Sequence, residues 1–245
     1  MTPYFYDLHV HSCLSPCADN DMTPNNIAGM AALKGLGIVA LTDHNSCKNC
    51  PAFFEACKRQ GIIPVAGMGL STAEDIHIVC LFEHLEDAMR FDEAVHGHIM
   101  NIPNRPEIFG DQLILDGEDE QTGVEDTLLI SATDLWMSDA IELAKSFGAH
   151  VHPAHIDREA NGIISILGDI PSEYGFGCVE YNGNDRIDEI KANYSAAKNA
   201  KHIISSDAHH LWDINEADHS IELDAEPYSS ALVRKRLFEY LNSPD

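Results

Sequence analysis

The sequence Asp7-Leu8-His9-Val10-His11-Ser12 places a carboxylate and two imidazoles at alternate positions. Alternate residues of a strand share a face, so Asp7, His9 and His11 are expected to point the same way. Two such imidazoles can converge on one cation, with the carboxylate as a ligand or as the group that orients a ring from behind. Thr42-Asp43-His44-Asn45 follows the apolar run 38–41, and Ser205-Ser206-Asp207-Ala208-His209-His210 follows another. A fourth group, His150-Val151-His152-Pro153-Ala154-His155-Ile156-Asp157-Arg158, gathers three histidines and an arginine, and His77 heads the run 78–81. Any one of these reads equally well as a helix cap or a core histidine. All five at strand ends point to divalent cations, and mixed imidazole and oxygen ligands suit Zn, Mn or Fe.

Side chains so placed need strands that end side by side. Apolar runs at 5–10, 38–41, 62–66, 76–81, 128–131, 149–151, 178–181 and 202–205 read as strands. Amphipathic stretches at about 51–60, 85–100, 135–147, 187–200 and 229–241 read as helices. A further helix opens at Thr23-Pro24, with Thr23 as N-cap and Pro24 in the first turn, and runs to about residue 36. Strand and helix alternate nearly throughout, which favours an α/β fold with a parallel sheet or barrel. Such folds place sites at the C-terminal ends of their strands. Residues 101–126, with Pro103, Pro106 and an acidic run, break the rhythm and read as a hairpin or surface insertion within a single domain spanning 1–245.

The bulk composition excludes several functions. The chain carries 40 Asp and Glu against 15 Lys and Arg, a formal net charge of −25. That charge repels phosphate backbones at long range, so no nucleic-acid partner is expected. No apolar run approaches the roughly 20 residues of a membrane span, no leader is visible, and a cytoplasmic protein without a membrane partner is expected. Seven cysteines, an odd number, argue against a disulfide framework. Cys13, Cys17, Cys47 and Cys50 flank the His-x-His and Asp-His motifs, either as a thiolate site for Zn or an iron–sulfur cluster or as free thiols on loops. Neither a Gly-x-Ser-x-Gly elbow nor a P-loop is present.

Through Asp7-Leu8-His9-Val10-His11-Ser12, Leu41-Thr42-Asp43-His44-Asn45 and Ser206-Asp207-Ala208-His209, in this order, the chain resembles the PHP family, the polymerase and histidinol phosphatase domains. The resemblance implies a distorted seven-stranded (βα) TIM-like barrel, with up to three divalent metals at the C-terminal mouth and activity on phosphate esters. It implies that His9, His11 and Asp207 serve one metal and His44 and His209 another, with His77 and His155 as further ligands. His155 is preferred to His152 because Ala154-His155-Ile156 fits the family pattern. Asp19 is assigned a ligand role by counting back from Thr23-Pro24 across a short insertion. One departure bears on function. Where the family has Gly-x-Glu, with the Glu bridging two metals, this chain reads Gly67-Met68-Gly69. Glu74, five residues downstream, is the nearest carboxylate that could stand in for it.

The expected activity is hydrolysis of a small phosphomonoester by a metal-activated water. Arg158 would grip the phosphate, and Asp43, His210 or Asp157 would pass a proton to the leaving group. The alternatives are a degenerate member that binds metal or ligand without turnover because of Gly69, and an oligonucleotide exonuclease. The acidic balance and the lack of a basic aromatic strip count against the exonuclease.

Overall fold

A computed structural model describes residues 1–243. In chain order the elements are β1 (Thr2–Val10), α1 (Pro24–Leu33), β2 (Ile38–Leu41), α2 (Cys50–Gln60), β3 (Ile63–Ser71), β4 (His77–Phe82) and α3 (Leu85–His96). They continue with α4 (Pro106–Phe109), β5 (Leu113–Leu115), β6 (Gln121–Val124), α5 (Met137–Ser146), β7 (His150–Pro153) and α6 (Ile163–Leu167). The last are β8 (Cys178–Tyr181), α7 (Ile187–Asn193), α8 (Ser195–Asn199), β9 (Lys201–Ile204), β10 (Ser220–Leu223) and α9 (Ser230–Asn242).

The fold is α/β. Six strands form a curled sheet in the order β10-β1-β2-β3-β4-β7, and β8 pairs in parallel with β9. Bonds just beyond the strand ends tie this pair to both sides of the curl. Ile156 N donates to Glu180 O at 2.8 Å, and His11 N to Ala208 O at 3.0 Å. These stitches lie beside the histidine motifs, so the closure of the fold and the placement of the motifs share one set of backbone contacts. The sheet is not wholly parallel. β4 runs antiparallel to β3 and β7, and β10 antiparallel to β1. Between β3 and β4 the chain has only a tight turn, closed by Thr72 N to Ile76 O at 2.9 Å. A connection that short can only reverse direction, because parallel neighbours need a crossover of a dozen residues or more.

Thr23 caps α1 as its sequence suggests, its side chain accepting from Asn26 N. Residues 128–131, expected as a strand, form a turn instead. Side-chain amides replace the ladder there. Asn45 Nδ2 donates to Leu129 O and Ser131 O, and Leu129 N donates to Gln112 Oε1. The helix expected over 187–200 is two, because Tyr194 takes an extended conformation between α7 and α8. Asn193, Tyr194 and Ser195 are all modest helix formers. β10 was not anticipated. Residues 101–126 carry α4 and the β5–β6 hairpin, whose turn reaches back to α1. There Asp119 accepts from Asn25 N at 3.2 Å, an anion at a helix N-terminus.

Both faces of the sheet are buried. Val39, Leu41, Met68, Leu70, Ile78 and Cys80 pack toward α1, α2, α3 and α5. Leu8, Ile38, Ala40, Val65, Val79 and Leu81 pack with Val233, Leu237, Phe238 and Leu241 of α9. This two-sided burial explains why β2 and β3 read as continuous apolar runs. Among the described residues no helix is long and apolar enough to cross a membrane.

Candidate metal centre

β1 delivers His9 and His11 to one spot. Their Nε2 atoms stand 3.1 Å apart. The turn after β9 brings in Asp207, whose Oδ1 lies 3.0 Å from His11 Nε2 and 3.3 Å from His9 Nε2. Ligands about 2.0–2.2 Å from one cation stand about 3.0–3.5 Å apart, so this spacing matches a shared ion. His11, His44 and His209 form a second group of converging ligand atoms. The His11 ring centroid is 4.3 Å from those of both His44 and His209. His77 and His155 complete the ring of imidazoles, 5.5 Å apart, with His77 5.3 Å from His44 and His155 5.9 Å from His9.

The surrounding bonds decide which nitrogen faces inward. His9 Nδ1 lies 2.8 Å from Glu180 Oε1, His11 Nδ1 3.0 Å from Ser15 Oγ, and His209 Nδ1 2.8 Å from Asp207 O. Each of these partners can accept a proton from Nδ1, which leaves Nε2 as the lone-pair donor toward the centre. Asp207 and His155 hold φ of 53° and 31°, and Asn45 beside His44 holds 49°. Left-handed backbone at three non-glycine residues of one site is strain that the surrounding bonds must hold.

The electrostatics favour a cation. Burial pulls His11 and His77 down to about 3, aided by His209 for His11 and by His155 for His77. Burial also lowers His44, His155 and His209. These rings are therefore neutral, which is the ligating form. Burial opposes charge on His9 too, but Glu180 and Asp207 outweigh it and raise His9 to about 9. Asp207 is buried, yet the charge of His9 and the hydrogen bond from His11 hold it well below the usual carboxylate range. The two carboxylates thus reward positive charge at this spot. His44 Nδ1 and His155 Nδ1 are buried without a hydrogen-bond partner. Unpartnered ring nitrogens beside a carboxylate fit one or more divalent ions.

The other expected site residues lie elsewhere. Asp43 sits behind His11, not at the mouth. It accepts from Ser12 N, Ser12 Oγ and Ser15 Oγ, each at 2.7 Å. Ser15 in turn meets His11, so Asp43 reaches the centre only through that hydroxyl. Asp19 is 52% exposed on the rim, outside both ligand groups, with Oδ2 3.5 Å from Nδ1 of His210, which is also exposed. Arg158 lies at the mouth. Its Nη1 meets Asp207 Oδ2 at 2.5 Å, and its Nε donates to Asn182 Oδ1 at 3.0 Å. Asp157 accepts from the Asn182 and Gly183 amides, which fixes that loop. Asp7 belongs to neither ligand group and accepts from the backbone amides of His9, Ser206 and Asn215. The pairing of β1 with β2 shifts between Asp7 and Val10, which breaks the expected alternation. Glu74 is also engaged elsewhere, accepting from Met137 N at the start of α5. His152 lies behind Glu180, Nε2 to Oε2 at 3.7 Å, while His155 joins the ring. Among the described residues no cysteine belongs to a candidate metal group. Cys47 and Cys50 are buried in the core.

The residue that sequence reasoning missed is Glu180. It is fully buried on β8 and also accepts from His155 N at 3.0 Å. Its signal was a lone carboxylate in an apolar strand. Glu180→Gln is expected to weaken metal affinity about 10–100-fold while the fold melts cooperatively as before. Equilibrium dialysis against Zn or Mn measures the first and a thermal melt the second.

The sequence matches the PHP domain over residues 7–207. No curated protein matches it. Among solved structures, the fold is similar to the lesion-specific endonuclease PfuEndoQ from Pyrococcus furiosus, with TM-score 0.60 and 17% identity over 96% of this chain and 55% of the other. The chain thus spans about half the length of that endonuclease. A putative metal-dependent phosphoesterase from Bifidobacterium adolescentis superposes with TM-score 0.59 and 16% identity, over 95% of both chains. An amidohydrolase from Chromobacterium violaceum, with bound sulfate and no metal, gives TM-score 0.54 and 18% identity, over 94% of this chain and 96% of the other. At these identities the likeness is one of fold.

Proposed function

Given that the chain belongs to the PHP domain family, we propose that it is a metal-dependent phosphoesterase that releases phosphate from a small phosphomonoester. The observation that carries this reading is the convergence of His9 Nε2, His11 Nε2 and Asp207 Oδ1 within 3.3 Å of one another, beneath Arg158. Divalent ions, when bound, would lower the pKa of a water and offset charge on the phosphate. His9, His11 and Asp207 would hold one, His44 and His209 another, with His77 and His155 beside them. We read the curled sheet and the β8–β9 pair as parts of one distorted barrel, with this centre at its mouth.

The chain's own groups do the rest. Glu180 and Ser15 fix the His9 and His11 rings. Asp43 holds Ser15, a positioning role. Arg158 offers a planar fork to the phosphate oxygens, and Asn182 aims it. His210, on the rim beside Asp19, is the group we assign to hand a proton to a departing alkoxide. The net charge of −25 favours a small substrate over a nucleic-acid strand. None of the seven cysteines is paired in a disulfide, which suits the cytoplasm.

The test is phosphate release from a panel of phosphomonoesters with added Mn or Zn. The unmodified chain should turn over and His9→Ala should not. Arg158→Ala should retain metal but lose about a hundredfold in kcat/KM, and Arg158→Lys should restore only part, because a lysine cannot make the bidentate contact. No release from any ester under any metal would sink the reading. It would leave the second one, a ligand-binding member without turnover, which Gly69 favours by removing a carboxylate from the strand beside His9.

A further inference from the structure

The turn that follows His209 and His210 carries Trp212, which is 77% exposed. A lone apolar residue at the surface is ordinary. This one is held in place. Lys34 Nζ donates to Trp212 O at 2.9 Å, Asp213 N to His210 O at 3.0 Å and Asn215 N to Asp7 Oδ2 at 3.0 Å. Leu211 packs against the core before it, and Ile214 is buried in the core after it. The turn therefore presents the indole to solvent and has little freedom to fold it away. An amphipathic ring on a rigid turn is suited to recognition.

Its place decides what it would recognise. Trp212 lines a cavity of about 290 Å³ with Asp19, Asp21, His210, Leu211 and Asp213. That volume lies near the lower end of the range for small-molecule sites. The cavity borders the metal centre through bonded neighbours. His209 belongs to a ligand group, its O accepts from Asp19 N at 2.9 Å, and Asp19 Oδ2 lies 3.5 Å from His210 Nδ1. A group that hands a proton to a departing alkoxide must come within hydrogen-bond reach of its oxygen. With His210 in that role, the alcohol departs into the space that His210 lines, and its body lies along Trp212. The fixed charges there have one sign. Asp19, Asp21 and Asp213 are carboxylates, and among the described residues neither lysine nor arginine lines the cavity. Lys34, at the Trp212 carbonyl, is paired with Glu216 at 3.0 Å. An alcohol with a negative charge of its own is repelled.

We propose that Trp212 and this cavity form the leaving-group subsite, and that it takes the phosphomonoester of an alcohol bearing a flat aromatic ring without negative charge. The ring packs on the indole, offset or edge-on, as aromatic pairs do. This deepens the phosphoesterase reading and rests on it, through His210, for the direction in which the alcohol departs.

The experiment compares benzyl phosphate with cyclohexylmethyl phosphate. Both are esters of primary alcohols of similar length, and they differ in the flatness of the ring. The saturated ring is at least as apolar, so a preference for the benzyl ester reports stacking and not general hydrophobicity. The unmodified chain should favour benzyl phosphate about tenfold in kcat/KM. Trp212→Ala should lose most of that preference at an unchanged melting temperature, and Trp212→Phe should keep part of it. Asp213→Asn should raise kcat/KM for the para-carboxybenzyl ester several-fold relative to the benzyl ester.

A second readout needs no turnover. The chain has two tryptophans, so Trp136→Phe leaves Trp212 as the reporter. With Zn added, benzylphosphonate, which cannot be hydrolysed, should shift the Trp212 emission, and methylphosphonate should not. Equal kcat/KM for the two esters, or a preference that survives Trp212→Ala, overturns the subsite and leaves the phosphoesterase reading standing. If no ester turns over, that reading fails and the emission decides alone. A shift with benzylphosphonate only keeps an aromatic subsite in a member without turnover. No shift, or the same shift with both phosphonates, overturns it.

Discussion

Asp207→Asn is expected to remove tight binding of the first cation and to lower phosphate release about a thousandfold. Asparagine keeps the size of the side chain and tolerates the left-handed backbone at this position, where φ is 53°. What changes is charge. Asp207 is the single carboxylate in the two candidate metal groups, and burial makes it the main local offset for a dication. Losing metal-borne stabilisation of several kcal/mol in the transition state corresponds to about three powers of ten in rate, at about 1.4 kcal/mol per tenfold. Metal content measured on the purified variant separates the cause from a misplaced Arg158, which would leave the metal in place. Full metal occupancy with unchanged turnover would show that the centre lies elsewhere.

The second large effect is on stability. Asn45→Ala is expected to cost about 4 kcal/mol and to lower the melting temperature by about 8–16 °C. Asn45 is buried, and its side chain serves three backbone groups. Nδ2 donates to Leu129 O at 2.8 Å and to Ser131 O at 2.9 Å, and Oδ1 accepts from Ser71 N at 2.9 Å. Alanine would leave these polar groups without their partner, at about 1–3 kcal/mol each where water cannot enter. It would also hold a φ of 49° that asparagine tolerates better. The loss should appear in a thermal or urea melt, with Asn45→Asp recovering part through its oxygen. A shift of only a degree or two would mean that water replaces the amide and that residues 129–131 are not anchored through it. The same contact explains why 128–131 is not a strand, and His44 lies next to it, so stability and the metal centre meet at this residue.

The sequence determined the chemical inventory. His-x-His on a strand, Asp-His after an apolar run and Asp-x-His after another pointed to a candidate metal site, because few structural roles need imidazoles repeated at strand ends. The PHP membership and the alternating α/β order followed from the same residues. Thr23 as N-cap, β2 and β8 were legible because capping and continuous apolar runs are local signals. What tertiary structure alone decided was which acids face the ring. Asp7, Asp19, Asp43, Glu74 and Glu180 are alike as residue types. A shifted register turned Asp7 toward backbone amides, helix capping took Glu74, and Ser12 and Ser15 enclosed Asp43. β8 carried Glu180 under His9 from 171 positions away in the chain. A carboxylate's role is set by what it is buried against, and that depends on contacts between distant segments. The same reason lets Gly69, a position with no side chain, matter at the centre. Its importance lies in the rings of His9 and His11 that the fold places in front of it.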